Sequence, residues 1–304
     1  MDSIEVKNLV KNYGRLKAVD GVCFEVRQGE IFGLLGENGA GKTTTLEMIE
    51  GLRKPTSGSI LMLGTDLSHG MKDEIKEKIG VQLQSSAYYN FLTLKEILEL
   101  FGGFYQKSIP ALELLKMVNL DAKANSLVKN LSGGQKQRFS IVAALVNDPE
   151  IVFLDEPTTG LDPIARRRLW DIIVKIKSQG KTIIITTHYM EEAEVLCDRI
   201  AIMDKGKILK MGETHKLIEA TKTPYKISFI LSKPDGKEID EIAKFGKLEN
   251  LAGKSNHYEM HLKTQDAVNK SINIIQKLNP ESLTVGRASL EDLFVELTGK
   301  NIEE

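Results

Sequence analysis

The sequence predicts an α/β fold around a mainly parallel sheet. Short apolar runs, two of them ending in polar residues, alternate with amphipathic helical stretches, the pattern of strands covered by helices on both faces. The runs are IFGLL (Ile31–Leu35), IVFLDE (Ile151–Glu156) and TIIITTH (Thr182–His188). A change of character after about Leu217 adds a small α+β extension.

The elements follow in order. Ile4 and Val6 alternate with polar neighbours, and VCFEV (Val22–Val26) follows a turn-like Asp20-Gly21, so the first 30 residues read as β. Ile31–Leu35 reads as a buried strand. The segment from Thr44 to Leu52 reads as a helix punctuated by Gly51 and Pro55. From about Thr93 to Leu120 the pattern is helical, broken at Gly102-Gly103 and Pro110, and the block of about 88–147 is expected to interrupt the sheet as an inserted subdomain. IARRRLWDIIVKIKSQG is an amphipathic helix ending at Gly180. In the tail, ISFIL and HYEMHLK alternate as strands, a Pro-Asp-Gly turn lies between them, and AVNKSINIIQKL is helical. SLEDLFVELTG carries its own punctuation: Ser289 caps, Asp292 stands three residues on, and Gly299 closes. Two domains are expected, 1–218 and 219–304.

Composition narrows the setting. Of 304 residues 41% are hydrophobic and 27% charged, with a net charge of −1, an ordinary globular balance that points to no nucleic-acid partner. The two cysteines, Cys23 and Cys197, make no disulfide framework and are expected to be small buried apolar groups in a reducing compartment. No apolar run approaches the roughly 20 residues that span a bilayer, and the N-terminus has no signal-peptide core. Action at a membrane would require another chain.

Chemistry concentrates in three motifs. Gly36, four residues, then Gly41-Lys42-Thr43 between strand and helix has the spacing of a phosphate-binding loop. Glycines let several N–H groups converge on one anion, and the following helix presents its positive end to it. Lys42 would reach the β- and γ-phosphates, and Thr43 would ligate Mg2+. Asp155 and Glu156 close an apolar strand at the rim where parallel sheets bind ligands. Asp155 can hold magnesium through water, and Glu156 can orient and deprotonate an attacking water. LSGGQKQR (Leu131–Arg138) offers a second anion-binding helix start without a lysine. One γ-phosphate has little use for two such sites in a single chain, which suggests a symmetric pair with this loop covering the partner's nucleotide.

Together these residues resemble the nucleotide-binding subunit of an ATP-binding cassette transporter, over roughly residues 1–218. The resemblance implies a P-loop NTPase cassette with an antiparallel β part at its N-terminus, bound ATP and Mg2+, and ATP hydrolysis. GENGAGKTT is similar to the Walker A loop, which implies nucleotide contacts for Gly36, Glu37, Asn38, Gly39, Ala40, Gly41, Lys42, Thr43 and Thr44. LSGGQKQR resembles the family signature, with Ser132, Gly133, Gly134 and Gln135 at the nucleotide. IVFLDEPTTGLD resembles the Walker B and D-loop segment, adding Asp162. His188 resembles the switch histidine at the γ-phosphate, and Gln84 the glutamine that senses magnesium and attacking water. Tyr13 resembles the aromatic residue that stacks on adenine; a strand-edge core residue is the other reading of it.

The tail resembles that of bacterial exporters for drugs, antibiotics, lipids or polysaccharides, whose permeases are separate polypeptides. The implied partners are such a permease and a second copy of the chain or a homologous ATPase subunit, at the cytoplasmic face of the membrane. Tyr88, Tyr89 and Phe91 either line a groove for a short permease helix or pack the helical subdomain. A soluble regulatory cassette ATPase without a permease is the alternative; such chains usually carry two sets of motifs, and this one has a single set. A DNA-repair ATPase would need long heptad insertions, and a small GTPase a guanine-reading Asn-Lys-x-Asp motif, neither of which is present. His257 and His261 lie on an alternating segment without an HExxH pattern and are expected at the surface.

Overall fold

A computed structural model describes residues 2–82, 88–89, 91–232, 236–250 and 256–299. Contacts divide the chain into two units, Met1–Glu213 and Thr214–Glu304.

In the first unit, β1 (Asp2–Tyr13) and β2 (Leu16–Arg27) form a long hairpin, followed by β3 (Ile31–Leu35) and α1 (Lys42–Ile49). Then come β4 (Ser57–Met62), β5 (Thr65–Asp66), α2 (Asp73–Lys76) and β6 (Ile79–Gln82). The helical stretch holds α3 (Leu94–Gly102), α4 (Ala111–Met117) and α5 (Gly133–Ala143). It is followed by β7 (Ile151–Asp155), α6 (Pro163–Ser178), β8 (Thr182–Thr187), α7 (Met190–Leu196), β9 (Arg199–Asp204) and β10 (Lys207–Glu213).

The six-stranded sheet runs β10-β9-β3-β8-β7-β6, parallel except for the antiparallel edge strand β10. Strands β3, β7 and β8 are buried along their whole length, as expected when both faces of a parallel strand are covered. A separate antiparallel sheet, β2-β1-β4-β5, shares a core with it. Val6, Phe24 and Val26 meet Phe32, Leu34, Phe153 and Ile184 there, with Phe24 and Phe32 stacked 5.1 Å apart.

The hairpin departs from the sequence reading in two ways. Strand β2 begins at Leu16 and runs through Asp20-Gly21, so that dipeptide is no turn. Gly21, at φ +68°, sits at a register shift where Leu9 faces Val22 but Val10 faces Asp20. The extra residue makes a bulge, which a positive φ accommodates at glycine without penalty. The same alternation that buries Val22, Phe24 and Val26 turns Cys23 outward, so Cys23 is exposed and only Cys197 is buried.

In the second unit, α8 (Thr214–Glu219) precedes β11 (Tyr225–Ile230), α9 (Gly236–Ala243), β12 (Lys247–Asn250), β13 (His257–Leu262), α10 (Gln265–Lys277), β14 (Ser282–Arg287) and α11 (Leu290–Thr298). The sheet is antiparallel in the order β12-β13-β11-β14. Ile227, Phe229, Met260, Leu262, Val268 and Ile275 form its own core. Ser289 and Asp292 close a full capping box on α11, and Gly299 ends the helix at φ +70°. Most of the Pro-Asp-Gly turn lies outside the described residues. His257 and His261 are half-buried rather than at the surface, because both point to the less covered face of β13. His261 lies 3.2 Å from Glu259, and Lys226, 2.7 Å from Glu259 and 3.6 Å from Asp292, supplies the cation of that cluster.

Candidate functional site

The phosphate-binding loop joins β3 to α1 and is fixed by close backbone approaches. A Cβ on Gly36 would stand 2.4 Å from the Met203 carbonyl oxygen, and one on Gly41, at φ +100°, would stand 2.5 Å from that of Ala18. Neither position admits a side chain. Helix α1 begins at Lys42, two residues before the sequence suggests, because Gly41 in the left-handed region turns the chain directly into it. Asn38 and Gly39 form the exposed tip, Ala40 is buried, and Thr44 lies on α1.

Lys42 is 4% exposed and folds back over the loop, donating to the carbonyl oxygens of Gly36 at 2.8 Å and Glu37 at 3.1 Å. Its ammonium also lies 3.3 Å from Glu156 Oε1. On the other oxygen, Glu156 Oε2 accepts from Thr159 Oγ1 at 3.2 Å. His188 Nδ1 is 3.2 Å from that oxygen but off the line of a hydrogen bond, an ion-pair contact when the imidazole is protonated. Glu156 itself sits at φ +46°, with its N–H donating to Thr186 Oγ1 at 2.9 Å. A non-glycine residue costs energy in that region and stays there only where its surroundings hold it.

Asp155 closes β7 opposite Thr186 in the β7–β8 register. Its Oδ1 accepts from Thr43 Oγ1 at 3.2 Å and pairs closely with Thr186 Oγ1. Burial pushes the Asp155 carboxyl upward, against the two hydroxyl bonds and Lys42. Burial acts the same way on Glu156, but there Lys42 and His188 outweigh it and hold the carboxyl below its ordinary value. Burial also lowers Lys42, more than Glu156 and Asp155 raise it. The two shifts pull oppositely on one pair, and the ionised pair is the state the geometry supports: the ammonium has two carbonyl acceptors besides Glu156.

Five positions singled out by the motifs, Lys42, Thr43, Asp155, Glu156 and His188, therefore converge. Others lie apart. Ser132 caps α5 in a capping box with Gln135 and is exposed together with Gly133. The box is closed by Ser132 N–H to Gln135 Oε1 at 3.0 Å, which also receives Lys123 Nζ at 3.2 Å. Asp162 is exposed and caps α6, accepting from the Ala165 N–H at 2.9 Å, with Pro163 at the first helical position. Tyr13 ends β1 and is 40% exposed, which removes the core reading of it. Gln84 lies outside the described residues. Thr186 and Thr159 also join the site, and no motif singles out either: Thr186 is one more threonine in a β-branched run until the β7–β8 register sets it against Asp155.

A buried lysine in a glycine loop, paired with Glu156 beside Asp155 at the rim of a parallel sheet, defines a P-loop nucleoside triphosphatase. Comparison with known proteins sets the family. The family model for ABC transporters matches residues 19–159. The Nod factor export ATP-binding protein I of Burkholderia orbicola is 36% identical over 319 residues, covering 99% of this chain and 98% of that one. Its namesake from Rhizobium leguminosarum bv. viciae is 41% identical over 222 residues, 71% of each chain. A solved ATP-binding subunit of an ABC transporter superposes with a TM-score of 0.63 at 31% identity, covering 71% of this chain and 92% of that one. A dimeric post-hydrolysis cassette bound to ADP and Pi gives 0.62 at 29%, covering 69% and 98%. The chain belongs to the ABC transporter family, as its ATP-binding and ATP-hydrolysing subunit. Among the described residues no helix is long and apolar enough to cross a membrane.

Proposed function

We propose that this subunit energises export through a separate permease, as one half of a pair of cassettes that closes on ATP and opens after hydrolysis, on the cytoplasmic face of the membrane. Residues 1–218 are the motor and 219–304 an accessory domain. The observation that carries the reading is the pairing of Lys42 with Glu156 beside Asp155 and Thr43. A γ-phosphate competes for the same ammonium. Once Lys42 turns to phosphate, Glu156 loses its nearest cation and gains proton affinity, which suits it to accept a proton from water. His188 follows the same phosphate from the other side of Glu156. Lys42 and the N–H groups of Gly39 to Thr44 hold the triphosphate, and Tyr13 stacks on its base. Gln84, which follows β6 by two positions in the sequence, completes the set.

Thr43 and Asp155 fit a magnesium ion: both are oxygen donors, converging within 3.2 Å, and Asp155 is a buried carboxyl that a cation would keep ionised. When bound, the ion would neutralise charge developing on the phosphates.

The exposure of Ser132 and Gly133 supports pairing, since the start of α5 is open to solvent in the single chain. Across the pair, Ser132 to Gln135 and Asp162 would complete the partner's site. Dimeric cassettes among the structural neighbours and export in the names of the relatives support the same reading. For the permease, a groove of about 580 Å³ is lined by Glu50, Gly80, Tyr88, Phe101, Phe104 and Tyr105. Tyr88 packs on Phe101 and Phe139, whereas Tyr89 and Phe91 stay 63% and 88% exposed nearby in sequence, so the aromatics divide between the two roles considered for them.

Ser132→Ala tests the trans arrangement. It is expected to leave MgATP affinity of the dilute monomer within about 2-fold, because only exposed groups change. ATP-driven dimerisation, followed by sedimentation, should weaken about 10-fold, the loss of one charge-assisted hydrogen bond. Equal loss in both measurements would overturn the pairing.

A further inference from the structure

The ring of Tyr13 is held by cations. Arg53 Cζ and Lys11 Nζ each lie 5.4 Å from its centroid, within the range of a cation–π contact. Both cations are themselves anchored. Lys11 Nζ donates to the Lys54 carbonyl oxygen at 2.6 Å. Arg53 Nε donates to Glu47 Oε2 at 2.5 Å, and Glu47 stands on α1, the helix that begins at Lys42. A continuous line of contacts thus runs from the phosphate-binding helix through Glu47 and Arg53 to the aromatic ring.

We propose that Arg53, braced by Glu47, is a positioning residue that fixes the Tyr13 ring relative to α1, so that a purine stacks on it while the triphosphate occupies the phosphate loop. The inference rests on the reading of Tyr13 as the base platform. An aromatic ring at a strand end has rotational freedom, and a stacking surface that turns away delivers only part of its affinity. The guanidinium removes that freedom and draws electron density from the ring, favouring contact with an electron-rich base. Because Glu47 ties Arg53 to α1, the platform and the phosphate site keep one spacing. The effect is specific to extended bases: a one-ring pyrimidine overlaps the tyrosine less and gains less from its orientation.

The test uses the full chain and measures kcat and KM with MgATP and MgCTP. Arg53→Ala is expected to raise KM for MgATP about 2–5-fold, the fold-change equivalent of one exposed cation–π contact. Both kcat and the KM for MgCTP should be unchanged. Glu47→Gln, which leaves the arginine but loosens its brace, should raise KM for MgATP in the same direction, and Arg53→Lys should restore part of the loss. In a Tyr13→Ala background Arg53→Ala should add nothing. If Tyr13→Ala raises KM and Arg53→Ala does not, the inference falls and the platform stands. If Arg53→Ala raises KM equally for both nucleotides, or adds fully to Tyr13→Ala, the arginine acts as a general charge and the inference falls. If Tyr13→Ala leaves KM unchanged, the platform and the inference fall together.

Discussion

Replacing Glu156 with glutamine is expected to leave MgATP binding intact, slow hydrolysis by about 10²–10⁴-fold and accumulate paired protomers. The amide keeps the shape of the side chain and its contact with Thr159, so the strained backbone at φ +46° and the loop around it are preserved. What it cannot do is accept a proton. Phosphoryl transfer to water depends mainly on positioning and charge neutralisation, which Lys42, Thr43 and Asp155 still provide, so binding and closure persist while the water step stalls. The wild-type carboxyl is held below its ordinary value by Lys42 and His188, which keeps it ionised and ready at neutral pH. Steady-state phosphate release, nucleotide affinity and sedimentation in MgATP read the three outcomes separately. Normal phosphate release by the variant would remove Glu156 from the role of base.

Glu50 governs a second large effect, on stability against pH. The residue is 5% exposed, follows α1 directly, and its Oε1 is buried with no hydrogen-bond partner. Burial, with Asp155 and Glu47 adding to it, raises its carboxyl to about 8. An acid raised in the folded state holds its proton there between about 4.5 and 8, while the unfolded chain releases it above about 4.5. The folded state then binds more protons than the unfolded, so stability falls as pH rises through this window and its low-pH side is the stable one. Each pH unit costs on the order of 1.4 kcal/mol, up to about 4–5 kcal/mol across the window. Glu50→Gln stays neutral at every pH. It is expected to match the wild type near pH 5 and to exceed it by a few kcal/mol near pH 8.5 in urea unfolding. Parallel pH curves for the two proteins would show that Glu50 is ionised in the fold.

The parts of the fold legible in the sequence were those where local chemistry and tertiary demand agree. Gly36 and Gly41 announce the phosphate loop because the backbone there approaches Met203 and Ala18 too closely for any Cβ. Ser289, Asp292 and Gly299 announce α11 because a capping box and a left-handed close are local devices. The errors arose where a neighbouring strand decided. Asp20-Gly21 has the composition of a turn, but pairing with β1 converts it into a bulge within a 12-residue strand. Residue type alone places Cys23 inward, and the pleat of β2 carries it outward. In the site, the motif residues could be named in advance, but Thr186 could not: a threonine in a β-branched run looks like any strand residue until the β7–β8 register sets it against Asp155. Arg53 and Glu47 were equally silent, since only the fold brings them to the ring of Tyr13.

The outward turn of Cys23 carries a practical consequence. Burial raises the Cys197 thiol far above its ordinary value, leaving it inert, whereas Cys23 stands at the surface of β2. The wild-type polypeptide thus offers one chemically addressable sulfur, and a maleimide spin label attached there would give a single intermolecular ruler for following assembly without engineering away any other residue.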